Sequence, residues 1–299
     1  MNSILIVGTG ALATLFAARL RQAGTQITML GTWKAGLEAL RKDGARLVDA
    51  EGTEHRFEVQ ATNDPHECSG IKHVLVLVKA WQTEYIADQL KKCLADNGLV
   101  VTLQNGLGNY ETLSQSLDSH RVALGSTTTG ATLLGPGLVR AGGEGVISIE
   151  RHPALGPIEK ALRSANFNVN IVDDAQSLIW GKLVINAAIN PLTALLRVPN
   201  GKLLESPSAR EMMGALATET AQVAAAEQIQ LPFSDPIAAV EEVAQKTYAN
   251  HSSMLQDILR GAPTEIDAIC GAIVRVAQKH NMDTPANWAC WKLVKAMTE

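Results

Sequence analysis

The pattern of apolar and polar positions changes character partway along the chain. In the first part, short apolar runs alternate with amphipathic stretches. The run at residues 4–7 is rich in β-branched side chains, which predicts a buried parallel strand. A helical pattern follows it to about Ala23, Gly24 ends that helix, and residues 26–30 predict a second strand. A complete strand–helix–strand unit is therefore expected by residue 31.

Two further apolar runs, residues 73–78 and 98–103, predict core strands, and residues 83–94 between them have helical spacing. This alternation is typical of an α/β fold with a parallel sheet. Beyond residue 174 alanine-rich segments with helical spacing replace the strand-like runs. These predicted helices cover residues 178–196, 208–227, 235–249, 253–260, 265–279 and 286–297. We therefore predict an α/β domain over residues 1–173 and an all-α domain over residues 174–299.

The turn between the first strand and the first helix has the pattern GxGxxA, formed by Gly8, Gly10 and Ala13. Gly8 permits a tight turn, Gly10 lets the backbone approach a pyrophosphate, and Ala13 lets the helix pack near the strand. Free N–H groups at the helix N-terminus favour the phosphates. The first domain is thus expected to be a dinucleotide-binding Rossmann domain. The predicted cofactor contacts in this turn are Gly8, Thr9, Gly10, Ala11, Leu12 and Ala13.

The residues after the second strand indicate which dinucleotide binds. An Asp or Glu there would bind the ribose 2′-hydroxyl of NAD and repel a 2′-phosphate. This chain instead has Thr32, Trp33 and Lys34, with no carboxylate and one cation. The pattern favours NADP, with Thr32 and Lys34 contacting the phosphate and Trp33 over the adenine. The alternative is that Lys34 is an ordinary solvated lysine.

Three polar residues interrupt an otherwise apolar helical segment. Lys182, Asn186 and Asn190 are spaced by four residues and share one helix face. An unpaired amide or ammonium among apolar residues is unfavourable by several kcal/mol, so partners or a ligand are expected. The alternative is the exposed stripe of an amphipathic helix. A stripe one residue wide that prefers Asn over Glu argues against it.

Two other places combine polar residues in ways that suit a site. Lys79 and Asn105 follow the strands at 73–78 and 98–103, and ligands of such sheets bind at those strand ends. Residues 250–257 and 264–267 form a second polar cluster, which includes Asn250, Ser253 and Glu265. This cluster also has a purely structural explanation, because Ser253 with Gln256 matches a helix capping box and residues 264–265 could begin a helix.

Composition narrows the possible partners. The net charge of −4 and the absence of a basic patch make nucleic acid and anionic membranes poor partners, and no stretch approaches about 18 uninterrupted apolar residues. The four cysteines lie far apart, which suits reduced thiols in the cytoplasm, and the scattered histidines predict no metal site. The pattern leaves a monomer and a homodimer equally open.

Taken together, the motifs resemble the ketopantoate reductase family of the 6-phosphogluconate-dehydrogenase-like superfamily. The resemblance runs from the glycine turn to Pro285 and rests on five segments in the family's order. They are the glycine turn at 8–13, LVKAWQT at 77–83, QNGLGN at 104–109, KLVINAAINPLTAL at 182–195, and NHSSMLQD with TEID at 250–257 and 264–267.

This resemblance implies NADPH-dependent reduction of 2-dehydropantoate in pantothenate and coenzyme A biosynthesis. It assigns Lys182 as the general acid, with Glu265 holding its ammonium in position. It assigns Lys79 and Asn105 to the cofactor–substrate junction without saying whether Lys79 faces a phosphate or the substrate carboxylate. The substrate contacts that it implies are Asn186, Asn190, Asn250 and Ser253.

The chain departs from the family pattern at Ala13, where glycine is usual, and at Thr32, where arginine is common, so that Lys34 must compensate. Three alternatives remain. The chain could be a related enzyme acting on another branched 2-oxo or 2-hydroxy acid. It could be a dinucleotide-sensing regulatory protein, although a sensor has no need for Lys182 and its asparagines. Its helical part could also be a dimerisation domain with the polar face at a subunit interface.

Overall fold

The computed structural model describes residues 3–299 and divides into two compact units. The first unit extends to Gln104 and resumes over Asn109–Ala175. The second unit consists of Gln176–Glu299 together with the short loop Asn105–Gly108. This loop belongs to the helical unit by its contacts, although it directly follows a strand of the first unit.

The first unit is built around an eight-stranded sheet in the order β12-β11-β8-β7-β6-β1-β2-β5. Neighbouring strands run parallel except β8 and β11, which are antiparallel. In chain order the strands β1–β12 of the unit are Ser3–Val7, Gln26–Leu30, Ala45–Val48, Glu54–Phe57, Gln60–Thr62, Ile71–Val76, Leu94–Thr102, Val122–Thr127, Ala131–Gly135, Leu138–Ala141, Val146–Glu150 and Asn168–Val172.

The register of the central strands brings four loops to one edge of this sheet. Val7 pairs with both Leu30 and Val76, and Val76 pairs with Thr102. Because these strands are parallel, β1, β2, β6 and β7 all end at the same level. The segments that follow them therefore leave the sheet side by side, which is where ligands of such sheets bind.

The unit also contains a second sheet, in the order β4-β3-β10-β9, which the sequence pattern does not predict. Its strands are four or five residues long and polar in part, as in the EHRF sequence of β4. Such short, half-polar strands carry little of the apolar periodicity from which strands are recognised. The main strands are longer or shifted relative to expectation, since β6 covers Ile71–Val76 and β7 begins at Leu94.

Within the part of the first unit that the structure describes, five α-helices accompany the sheets. In chain order α1–α5 are Ala11–Gln22, Lys34–Asp43, Thr83–Leu90, Asn109–Leu117 and Gly156–Ser164. The predicted helix over 83–94 is wrong in its last turn, because Cys93 and Leu94 already lead into β7. Helix α1 ends at Gln22 with Ala23 as its C-cap, and Gly24 follows with a φ of +84°.

The second unit is all-helical, and α6 is its core. Its helices α6–α12 are Gln176–Leu196, Lys202–Glu205, Pro207–Ala226, Pro236–Lys246, Ser253–Leu259, Cys270–Lys279 and Pro285–Ala296. Among the described residues, α6 is the one helix long and apolar enough to cross a membrane. About two thirds of its most apolar window is buried, and it packs on α8 and α10.

Two local predictions in this unit are wrong. The helix expected from Glu265 begins only at Cys270, because Glu265–Ile269 forms a turn in which two backbone N–H groups share the Glu265 carbonyl. The cap of α10 is Ser252 and not Ser253. The Ser252 hydroxyl accepts a hydrogen bond from Leu255 N at 3.0 Å and lies 2.7 Å from the Thr193 hydroxyl of α6.

The N-terminus of α12 is capped by a carboxylate from another helix. Glu219 of α8 accepts hydrogen bonds from the backbone N–H groups of Ala286 and Asn287, at 2.8 and 2.9 Å, and from the Asn287 side-chain amide at 2.9 Å. Asn287 is fully buried. A helix terminus has N–H groups without intrahelical partners, and this carboxylate satisfies two of them.

We expect Glu219→Ala to lower the free energy of unfolding by about 1–3 kcal/mol, because it leaves buried donors without acceptors. Urea denaturation followed by circular dichroism measures the change. Glu211→Ala, an exposed carboxylate on the same helix, is the matched control and should stay within about 0.5 kcal/mol of wild type. Equal effects of the two substitutions would contradict the capping role.

Candidate active site

The glycine turn of the first unit is shaped by contact with a neighbouring strand end. Gly8 has a φ of +130°, and a Cβ at this position would lie 3.0 Å from the Leu77 carbonyl oxygen. The same Cβ would lie 3.3 Å from the Cβ of Ala13. Ala13 is fully buried, so alanine fits where the resemblance leads one to expect glycine. The turn therefore needs glycine at position 8 for both conformation and space.

The turn presents an open helix N-terminus. Gly10 is the N-cap of α1, has extended backbone angles and has no side chain to occupy the first-turn N–H groups. A Cβ at Gly10 would meet no atom within 4 Å. Thr9 is buried and faces Gly31, where a Cβ would lie 2.8 Å from the Thr9 methyl group. This arrangement fits the diphosphate of a dinucleotide, which needs backbone donors and close approach.

The end of β2 provides a hydroxyl, an indole and a cation. The Thr32 hydroxyl accepts a hydrogen bond from the Gln82 side chain at 3.3 Å. Trp33 is the N-cap of α2, and its ring covers Gly36, where a Cβ would lie 2.4 Å from the ring. Lys34 is the first residue of α2 and is exposed. These groups lie at the edge of the sheet from which Gly8 also emerges.

Lys79 lies at the same edge, three residues after the end of β6. It is half-buried and is the N-cap of a short 3₁₀ turn, Ala80–Gln82. The Lys79 carbonyl accepts a hydrogen bond from Gln82 N at 2.9 Å, which closes this turn. The sequence-predicted residues of the first unit, from the glycine turn to Lys79, are thus gathered on adjacent strand ends.

In the second unit, α6 bears Lys182, Asn186 and Asn190 at successive turns. Asn190 is buried, and Lys182 and Asn186 are half-buried. The residues between them belong to the apolar core of the unit. Burial lowers the pKa of Lys182 to about 8, and the nearby carboxylate of Glu265 opposes this shift. An ammonium in this setting can hold and release a proton near neutral pH.

Glu265 is held by the loop Asn105–Gly108, which follows β7 in the chain and belongs to the second unit. The Asn105 side-chain amide donates a hydrogen bond to the Glu265 carboxylate at 3.2 Å. Leu107 N donates to the Ala268 carbonyl at 3.0 Å. A Cβ at Gly106, whose φ is +80°, would lie 2.4 Å from that same carbonyl oxygen. Glycine at 106 thus allows the loop to approach the Glu265–Ile269 turn closely enough to fix the carboxylate.

Asn250 lies in the segment between α9 and α10, Ser253 is the first residue of α10, and both are exposed. The bond between Ser252 and Thr193 fixes this segment to α6. Asn200, which the sequence pattern does not single out, holds the same segment. Its backbone N–H donates to the Asn250 carbonyl at 3.0 Å, and its side-chain amide donates to the Thr247 hydroxyl at 2.9 Å. Its only sequence signal is an Asn–Gly pair, which normally marks a turn.

The described residues bring the candidate side chains into two groups, one in each unit. The first group is the glycine turn with Thr32, Lys34 and Lys79. The second is Lys182 with Glu265 and Asn105, together with the asparagines of α6 and the segment of Asn250 and Ser253. Within residues 3–299, no three His, Cys, Asp or Glu residues cluster in a way that could hold a metal ion.

Comparison with known proteins identifies the family. The ketopantoate reductase PanE/ApbA model matches residues 4–154, and the corresponding C-terminal model matches residues 174–298. A 2-dehydropantoate 2-reductase of Archaeoglobus fulgidus is 36% identical over 302 residues, which cover 99% of this chain and 98% of that protein.

Solved structures give the same picture. A PanE/ApbA family ketopantoate reductase of Ralstonia eutropha superposes with a TM-score of 0.92 at 30% identity, covering 99% of this chain and 98% of that one. A D-mandelate dehydrogenase in complex with NADH and anilino(oxo)acetate superposes with a TM-score of 0.93 at 25% identity, with the same coverage. By its sequence along almost its whole length, the chain belongs to the ketopantoate reductase family.

Proposed function

We propose that the chain reduces 2-dehydropantoate to pantoate with NADPH, a step of pantothenate and coenzyme A biosynthesis. The observation that carries this proposal is the ammonium of Lys182, set in an apolar helix with Glu265 as its charge partner. Reduction of a ketone needs a proton donor beside the oxygen that becomes negative, and a lysine in these surroundings is such a donor.

Lys182 has two tasks in this reaction. Its positive charge stabilises the oxygen of the C2 ketone as negative charge develops there, and its Nζ then donates the proton that completes the hydroxyl. With a pKa of about 8, most Lys182 side chains are protonated at neutral pH and release the proton more readily than an exposed lysine. Glu265 keeps the ammonium protonated and oriented, and Asn105 keeps Glu265 in place.

The asparagines and Ser253 would bind the rest of the substrate. Asn186 and Asn190 lie on the Lys182 face of α6, one and two turns further along the helix. Their amides can donate to a carboxylate and accept from a hydroxyl, which matches a 2-oxo acid that bears a hydroxymethyl group. Asn250 and Ser253 add an amide and a hydroxyl from a segment that is fixed to α6.

The residues of the first unit would hold the cofactor. NADPH, when bound, supplies the hydride to the ketone carbon. The glycine turn from Gly8 to Ala13 offers backbone donors to the diphosphate, while Thr32 and Lys34 suit a 2′-phosphate. Lys79 would contact the cofactor at its reactive end. No carboxylate follows β2 that would repel the 2′-phosphate.

A related activity on another 2-oxo acid is the second candidate, favoured by the TM-score of 0.93 to the D-mandelate dehydrogenase. A panel that includes 2-dehydropantoate and an aryl 2-oxo acid, each with NADPH and NADH, separates the two candidates.

We further propose that the enzyme works in the cytoplasm, as a monomer or a homodimer.

Lys182→Ala should reduce kcat for 2-dehydropantoate by about 10²–10⁴-fold, because it removes the general acid. Binding of NADPH, followed by fluorescence titration, should change little. Lys246→Ala, an exposed lysine of α9, is the matched control and should retain wild-type turnover. Turnover by Lys182→Ala within a few-fold of wild type would overturn the assignment of Lys182 as proton donor.

The pH profile tests the pairing of Lys182 with Glu265. The reaction needs protonated Lys182, so kcat/KM should be level at low pH and fall as the pH rises through about 8. Glu265 raises the pKa of Lys182. The Glu265→Gln variant should therefore lose activity at a lower pH than wild type. A fall that stays at the same pH, or moves to higher pH, would contradict the pairing.

Cofactor choice tests the residues after β2. Wild type should bind NADPH more tightly than NADH, as measured by isothermal titration calorimetry. Lys34→Ala should weaken NADPH binding by about fivefold or more and leave NADH binding nearly unchanged, because it removes one phosphate contact. Lys42→Ala, at the other end of α2, is the control. Tighter binding of NADH by wild type would refute the roles of Thr32 and Lys34.

A further inference from the structure

Gln104 joins three segments of the first unit through a single side-chain amide. Its Nε2 donates hydrogen bonds to the Val78 carbonyl at 3.1 Å and to the Thr83 hydroxyl at 2.8 Å. Its Oε1 accepts a hydrogen bond from the Thr102 hydroxyl at 2.9 Å. Both N–H groups of the amide are therefore engaged, and they connect the end of β7 to the loop after β6 and to the start of α3.

The segment held in this way is the one that presents Lys79. The Val78 carbonyl belongs to the same planar peptide unit as the Lys79 N–H, so a hydrogen bond to the carbonyl fixes the orientation of that plane. On the other side of Lys79, the Thr83 hydroxyl lies 2.8 Å from the Ala80 carbonyl. Before Lys79, the backbone is hydrogen-bonded to Gln104 itself. After Lys79, it is contacted by the Thr83 hydroxyl, which is hydrogen-bonded to Gln104.

The polar network around Gln104 is largely buried, although it lies at the edge of the sheet. Thr102, Thr83 and Asn109 are each less than a tenth exposed. The Thr83 hydroxyl also lies 2.8 Å from the Asn109 side-chain oxygen of α4, and it donates its one hydrogen either to this oxygen or to the Ala80 carbonyl. Polar groups in such a place are unfavourable unless all are paired, and a fully paired network specifies one arrangement of the backbone.

Packing alone would hold α3 on the sheet without these polar groups. Ile86, Ala87 and Leu90 of α3 are buried in an apolar cluster with strand residues. Val78 belongs to the same cluster, whereas Lys79 and Ala80, which precede the helix, do not. The polar network acts on that short stretch.

We propose that Gln104 is a positioning residue for the reaction, because its amide fixes the Val78–Ala80 backbone and thereby aims the Lys79 side chain at the bound reactants. This inference rests on the proposed reductase function. It assigns Gln104 no contact with substrate or cofactor. Its influence on catalysis passes through Lys79.

A double-mutant cycle on kcat/KM tests this route, with Gln104→Met, Lys79→Ala and the double variant compared to wild type in full-length protein. Gln104→Met keeps the side-chain volume and removes all three hydrogen bonds. We expect it to lower kcat/KM by about tenfold or more in wild type and by less than about twofold in the Lys79→Ala background. Equal losses in both backgrounds would overturn the proposal, since Gln104 would then act independently of Lys79.

Three further variants keep the test decisive. Gln89→Met, a buried glutamine of α3 in the same unit, should leave kcat/KM nearly unchanged. If Gln104→Met does not fold, the cycle is run with Thr83→Val, which removes the hydroxyl between Gln104 and Ala80. Thr83→Ser restores that hydroxyl and should recover activity, and failure to recover contradicts the proposal.

The wild-type measurement separates this inference from the function on which it rests. If wild type reduces no 2-oxo acid with either cofactor, the proposed function is wrong and the role of Gln104 falls with it. If wild type is active and the cycle is additive, only the role of Gln104 is wrong.

Discussion

A lysine ammonium inside an apolar helix requires a negative partner, and this requirement organises the second unit. Lys182 lies among the core residues of α6, and Glu265 is the charge that offsets the effect of burial on its pKa. Glu265 is the first residue of the turn that precedes α11. The loop Asn105–Gly108 holds that turn through one side-chain and one backbone hydrogen bond.

The first unit obeys a different constraint, the common level at which its parallel strands end. The registers of β1, β2, β6 and β7 bring the glycine turn, Thr32 and the Lys79 loop to one edge of the sheet. Individual residues then set the local course of the backbone at this edge. A missing Cβ at Gly8 admits the Leu77 carbonyl, and the Gln104 amide sets the course of the chain around Lys79.

Features that depend on neighbours in sequence could be predicted from the sequence. The turn at Gly8–Ala13 is set by residues within one strand and one helix, and the stripe of Lys182, Asn186 and Asn190 follows from helical spacing alone. The hydrogen bond between Asn105 and Glu265 joins residues 160 positions apart, and no local pattern indicates it. The second sheet was missed because strands such as Glu54–Phe57 are short and polar. The cap is Ser252, one residue before the Ser253 that matches the capping-box pattern with Gln256, because Ser252 also contacts Thr193 of α6, which no local pattern indicates.

The role of Lys182 is tested most directly by a crystal structure of the enzyme with NADP⁺ and a non-reacting analogue of 2-dehydropantoate. If Lys182 is the proton donor, its Nζ should lie about 3 Å from the oxygen on C2 of the analogue, with the Glu265 carboxylate beside the same ammonium. A C2 oxygen that is hydrogen-bonded to another donor, with Lys182 directed away from it, would contradict the central role given to this lysine.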